Sequence, residues 1–136
     1  MGLKEVERKE IVKFRLKKAT DTFAEVPVQM ENNFYITAAN RLYYACYYAT
    51  TALLINDGYE AHTHSGVKTL LGLHYINRDK MDKSFGKMYR QLFNLRQTGD
   101  YEDWINIEED DIKSFLKPAE KFIDEIQNLK YNQTVS

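Results

Sequence analysis

The chain is short of the residues that staple or break a polypeptide. It has one cysteine, Cys46, with two prolines, six glycines and one tryptophan in 136 residues. A lone thiol builds no internal disulfide framework, so a reducing compartment, the cytoplasm, is expected. So little proline and glycine leaves almost no material for a loop-rich or all-β fold. There is no run of about 18 apolar residues, and the charged stretch 1–15 has no apolar block of signal length, so neither a membrane span nor a leader is expected. A net charge of −1 gives no overall pull toward nucleic acid or an anionic membrane, and any such contact must come from a local patch. Internal repeats, low-complexity segments, a glycine-rich phosphate loop, a Ser-His-Asp order and paired carboxylates are all missing.

What is present is the composition of a soluble globular protein, 43% hydrophobic and 29% charged. The length predicts a single domain over 1–136, with a core from about residue 5 to about 130 and a frayed tail at 131–136. The chain is organised around residues 37–55, which hold neither proline nor glycine. At helical spacing Ala38, Leu42, Ala45, Cys46, Ala49 and Leu53 form a small, apolar stripe that lets another helix come close. Asn40, Tyr44, Tyr47, Tyr48 and Thr51 form a second stripe with polar tips. The run reads as the central helix of a bundle, and Asn40 and Arg41 near its start need an explanation.

Around it the apolar periodicity predicts further helices. The first runs from residue 5 to about 25 on Val12, Leu16, Ala19, Phe23 and Val26, with Pro27 expected to end it. Asp57–Gly58 stops the long helix, and Thr63 caps a third that reaches about residue 76. A fourth carries Met81, Phe85, Met88, Leu92 and Leu95, with Gly99 expected at its end. Residues 100–107 read as a loop holding Trp104. The acids Glu108, Glu109, Asp110 and Asp111 then open a last helix, where the macrodipole favours them, and Pro118 is expected to kink it. The predicted fold is all-α, an up-and-down bundle of about five helices with short connections.

Charge is unevenly spread. Arg78, Lys80, Lys83, Lys87, Arg90 and Arg96 face only Asp79 and Asp82 in residues 78–96. Residues 100–111 hold Asp100, Glu102, Asp103 and Glu108 to Asp111 with no base. The bland reading is a solvated face followed by an acidic helix start, and the sharper one is a basic face for phosphates beside an acidic surface.

The string with most chemistry is Asn94–Leu95–Arg96–Gln97–Thr98–Gly99–Asp100–Tyr101. The forked guanidinium of Arg96 suits phosphate or carboxylate. Asp100, four residues on, is placed to pair with it. A chain reversal at Gly99 would bring the Tyr101 hydroxyl back toward Arg96. The plain alternative is a helix-end ion pair with Tyr101 in the core. His62, His64 and His74 lack zinc-ligand spacing, so no metal and no cofactor are expected. His64 and Ser65, opening a helix, suit an anion or a partner's backbone.

Three strings in order, Ala39–Asn40–Arg41–Leu42–Tyr43–Tyr44–Ala45, Thr63–His64–Ser65–Gly66–Val67 and Leu92–Phe93–Asn94–Leu95–Arg96–Gln97–Thr98–Gly99–Asp100–Tyr101, resemble the HEPN domain (higher eukaryotes and prokaryotes nucleotide-binding) in its short, stand-alone prokaryotic branch. The resemblance covers roughly residues 10–130. It implies a helical bundle that forms a homodimer and has an RNA or nucleotide connection. It also implies a toxin-antitoxin-type pair in which the partner is a minimal nucleotidyltransferase. Ribonucleases of that superfamily are metal-independent and carry an Arg, four to six residues, then a His, meeting across the dimer. Here Arg96 matches the Arg, while Tyr101, preceded by Asp100, holds the His position. A tyrosine of ordinary pKa about 10 is ionised in roughly one molecule per thousand at pH 7 and makes a poor general base. By the same resemblance Tyr101 is a target for adenylylation by the partner. Arg96, Tyr101 and Asp100 are thus the candidate catalytic set, with Asn40, Arg41, Tyr44, His64 and Ser65 supporting them or binding nucleotide or RNA. A binding protein with a nucleotidyltransferase partner, a metal-independent ribonuclease and a non-catalytic dimerisation module are the three readings.

Overall fold

The breaker-free stretch folds as the helix on which the others pack. In a computed structural model, which describes residues 4–102 and 106–135, α1 spans Glu5–Glu31, α2 Tyr35–Asn56 and α3 His64–Leu71. A single π-helical turn, Gly72–Ile76, extends α3. It is followed by α4 Lys83–Tyr101, α5 Glu109–Lys113 and α6 Leu116–Val135. No strand occurs among the described residues. This is the all-α bundle expected, its last helix delivered in two pieces.

Helix α2 touches α1, α3, α4, α5 and α6, and its contact with α1 is the most extensive in the molecule. Its small-residue stripe does the packing. Ala38, Leu42, Ala45, Cys46 and Ala49 are fully buried, and Leu53 nearly so. Short side chains there let the α1 and α6 backbones approach, while Leu42, Leu53, Leu71, Leu92 and Phe122 fill the remaining volume. Each such burial stabilises by about 1.5–3 kcal/mol. Burial also holds the Cys46 thiol far above the usual range, in its neutral form.

Three expectations fail, each for a tertiary reason. Pro27 does not end α1, which continues to Glu31 and closes at Asn33 in the left-handed region (φ 61). Pro27 itself faces solvent, and the packing of buried Val26 and partly buried Met30 on the core holds the last turn despite the missing N–H. Along the same helix Thr22 is buried and Phe23 only partly so. Gly99 does not end α4, which runs through it to Tyr101. Its place there is steric, since a Cβ at 99 would stand 2.7 Å from Ile107 Cδ1 and 3.4 Å from Ile36 Cγ2. Consequently Asp100 and Tyr101 are helical, while Trp104 and Asp103 lie outside the described residues. Pro118 kinks nothing. The chain breaks before it at Ser114–Phe115, which puts Pro118 in the first turn of α6, where its missing N–H costs no helical bond.

The predicted Thr63 cap forms, and a second cap holds the start of α5. The Thr63 hydroxyl accepts from Gly66 N at 2.9 Å, and Asp111 Oδ2 accepts from Glu108 N at 2.9 Å. These hold the starts of α3 and α5, and the first of them fixes where His64 enters the bundle.

Candidate functional site

At the N-terminal end of α2 three helices bring a polar cluster together. Helical periodicity puts Asn40, Tyr43, Tyr44 and Tyr47 of α2 on one face toward α4 and the start of α3. From α4 come Arg96 and, one turn on, Asp100. From the first position of α3 comes His64.

Arg96 is at the centre and only 6% exposed. It therefore does not belong to the basic face expected over 78–96, whose Arg78, Lys80, Lys83, Lys87 and Arg90 are all exposed. Its guanidinium carbon stands 5.0 Å from the Tyr43 ring, 5.4 Å from Tyr44 and 5.9 Å from Tyr101. Rings at this range attract the cation, by about 2 kcal/mol where water is excluded. Its ion pair is weak by comparison. Nη1 lies 3.7 Å from Asp100 Oδ2, and that same oxygen accepts from Asn40 Nδ2 at 3.0 Å. Arg96 Nε is buried with no hydrogen-bond partner among the described residues. A forked cation with a buried, unused donor has a charge-assisted hydrogen bond to offer an oxyanion.

Asn40 and Arg41 now have roles. The Asn40 amide links Asp100 to Arg41, whose Nε and Nη2 donate to Asn40 Oδ1 at 3.1 and 2.8 Å. Arg41 also lies over the Tyr44 ring at 5.3 Å and faces Glu25 Oε2 of α1 at 3.7 Å. This second arginine buttresses the wall of the cluster and holds Asn40 against Asp100.

His64 joins the same cluster. Its Nδ1 shares a 2.9 Å hydrogen bond with the Tyr43 hydroxyl, and its ring lies 4.4 Å from that of Tyr47 and 5.5 Å, edge-on, from Tyr44. Burial, and then the positive charge of Arg96, lower its pKa below the usual 6.5. Burial also pushes Tyr43 up to about 12, so its phenol stays protonated. Tyr43 is the site residue that sequence reasoning missed. Its signal was the spacing to Asn40 (three back) and Tyr47 (four on).

Two expected members are only loosely attached. Tyr101, the last residue of α4, is 73% exposed and touches Arg96 through its ring, with no chain reversal to aim its hydroxyl. Ser65 is exposed; its backbone carbonyl takes the Thr69 hydroxyl, and no contact ties its side chain to the cluster among the described residues. No group of three or more His, Cys, Asp and Glu is placed to hold a metal ion among the described residues. Nor is any helix among them long and apolar enough to cross a membrane.

An all-α bundle whose central helix and its penultimate long helix enclose one arginine among tyrosines defines a class of small helical domain. The chain belongs to the HEPN family, whose domain model matches residues 12–129. It is similar to the UPF0332 protein of Thermotoga maritima, 32% identical over 123 residues that cover 90% of this chain and 93% of the relative. It is also similar to a Methanocaldococcus jannaschii protein named "Putative toxin MJ0605", 29% identical over 109 residues, covering 80% of this chain and 81% of that one. The UPF0332 protein of Archaeoglobus fulgidus is 26% identical over 117 residues, 86% of this chain and 93% of that one.

Proposed function

We propose that this protein is a toxin-type HEPN protein that holds a phosphate of RNA or of a nucleotide at Arg96. It works as a cytoplasmic homodimer with a minimal nucleotidyltransferase as its partner. The observation that carries the reading is the buried guanidinium with one 3.7 Å ion pair and an unpartnered Nε. The bidentate fork that an Arg–carboxylate pair frequently closes is not made here. The toxin name of a relative supports the same class. Exposed Phe34, Ile36 and Tyr101, at the same end of the molecule as Arg96, supply apolar surface for a second copy. The exposure of Tyr101 suits it as an acceptor for an adenylyl group from the partner enzyme.

Fluorescence anisotropy with single-stranded RNA and with ATP tests the reading. Arg96→Ala is expected to weaken binding at least about tenfold, in line with the loss of a charge-assisted contact. Unchanged binding with only a lower Tm would make the cluster a structural support within a dimerisation module. A pull-down that never recovers a nucleotidyltransferase would remove the partner from the proposal.

A second reading is a metal-independent ribonuclease. It is favoured by one observation, a titratable imidazole in the same cluster as the buried cation.

A further inference from the structure

The cluster holds two groups that titrate or donate near Arg96 and belong to different parts of the chain. One is Tyr101, mostly exposed and met only through its ring. The other is His64, half-buried and tethered. A base for RNA transesterification needs a lone pair at pH 7, a fixed direction and a cation nearby to take the phosphate charge. Tyr101, exposed and met only through its ring, lacks the fixed direction. His64 meets all three.

We infer that His64 is the catalytic base of RNA cleavage in this protein, with Arg96 holding the scissile phosphate and Tyr43 fixing the imidazole. The inference rests on the ribonuclease reading above and deepens it. In the tautomer that carries its proton on Nδ1, His64 donates to the Tyr43 oxygen at the observed 2.9 Å, which leaves the Nε2 lone pair open. Tyr43 keeps its own proton. The Tyr47 ring at 4.4 Å limits rotation of the imidazole. Thr63, capping α3 through Gly66 N, fixes the backbone from which His64 projects.

The step balances without a metal. His64 Nε2 takes the proton of the RNA 2′-hydroxyl, and the 2′ oxygen bonds to the adjacent phosphorus. The bond from phosphorus to the 5′ oxygen breaks, and that oxygen takes a proton from water. The products are a 2′,3′-cyclic phosphate and a 5′-hydroxyl, and the imidazolium returns its proton to solvent. The groups facing His64 are Tyr43, Tyr44 and Tyr47 of α2, Arg96 of α4 and, behind Tyr47, Arg15 of α1. Burial, and then the Arg96 cation, disfavour imidazolium, so cleavage is expected to rise with pH to a plateau reached below neutrality.

The test uses the full chain, a single-stranded RNA oligonucleotide and excess EDTA. The wild type is expected to give cyclic-phosphate ends and to leave a 2′-O-methyl RNA intact. His64→Ala should lower the cleavage rate by about 100-fold or more, with RNA affinity within about threefold, and added imidazole should restore part of the rate. His64→Gln, which keeps a polar side chain, provides a second variant if His64→Ala folds poorly. Cleavage by His64→Ala at the wild-type rate overturns the inference, as does a wild type that binds RNA without cutting it. In that last case the binding reading stands, whereas RNA affinity left unchanged by Arg96→Ala removes both.

Discussion

The two ends of α2 carry similar residues and do different things with them. At the C-terminal end the Tyr75 hydroxyl donates to Asp57 Oδ2, and Tyr59 stacks on His74 with centroids 4.0 Å apart. A phenol and a carboxylate there close on each other, and burial helped by Asp57 drives the Tyr75 pKa far up. At the N-terminal end the charge is a cation, its carboxylate is shared with Asn40, and its Nε is unused. The first end resembles a support, the second a receptor. A buried polar group with no partner raises the free energy of the free protein, and a ligand that supplies the partner recovers it.

The largest test of that contrast is Arg96→Lys. It keeps the charge and loses the fork, so RNA affinity should fall about tenfold if two or more donors grip the phosphate. An affinity unchanged in titration would reduce Arg96 to a point charge. Tyr75→Phe should do the reverse. Losing its hydrogen bond to a carboxylate costs about 1–2 kcal/mol of stability, a fall in Tm of roughly 4–7 °C, with RNA affinity unaltered. Asp100→Asn sharpens the receptor end, because it removes the negative charge that competes with an incoming phosphate. Affinity at low salt should rise about two- to fivefold and the gain should shrink as salt is added. If affinity falls instead, Asp100 is part of the grip.

The smallest effect is in pH. Folding lowers the His64 pKa below 6.5, so the unfolded chain binds that proton more tightly. Its share of stability is therefore complete above about pH 6.5 and is lost as pH falls through the folded value. His64→Asn should flatten that small slope in urea midpoints between pH 7 and 5, and an NMR titration of the His64 ring should show a midpoint below 6.5. Tyr75 at the other end titrates far too high to contribute in this range.

How legible was all this in the chain? The central helix, the Thr63 cap, the Asp57–Gly58 stop and the small-residue stripe follow from local rules, because periodicity and capping act within a few residues. Pro27, Gly99 and Pro118 were misread for one reason. Their local penalties are at most a few kcal/mol, and packing of Val26, Ile107 and Phe122 outweighs or sidesteps them. For the site, Arg96, Asp100 and Asn40 were legible as polar residues on otherwise apolar faces. Tyr43 was hidden beside Tyr44, since a tyrosine on a core stripe usually means only area.

By itself, then, the sequence determined the class of the molecule. An almost unbroken series of amphipathic segments with one thiol and few breakers admits a helical bundle and little else, and the ordered strings around Asn40, His64 and Arg96 carry the family. Only the tertiary structure decided what those strings do together. Residues 40, 64 and 96 meet because α2, α3 and α4 pack at one end, and no local rule relates them. Burial there decided that Arg96 is separate from its basic neighbours, and that His64, not Tyr101, stands tethered beside it.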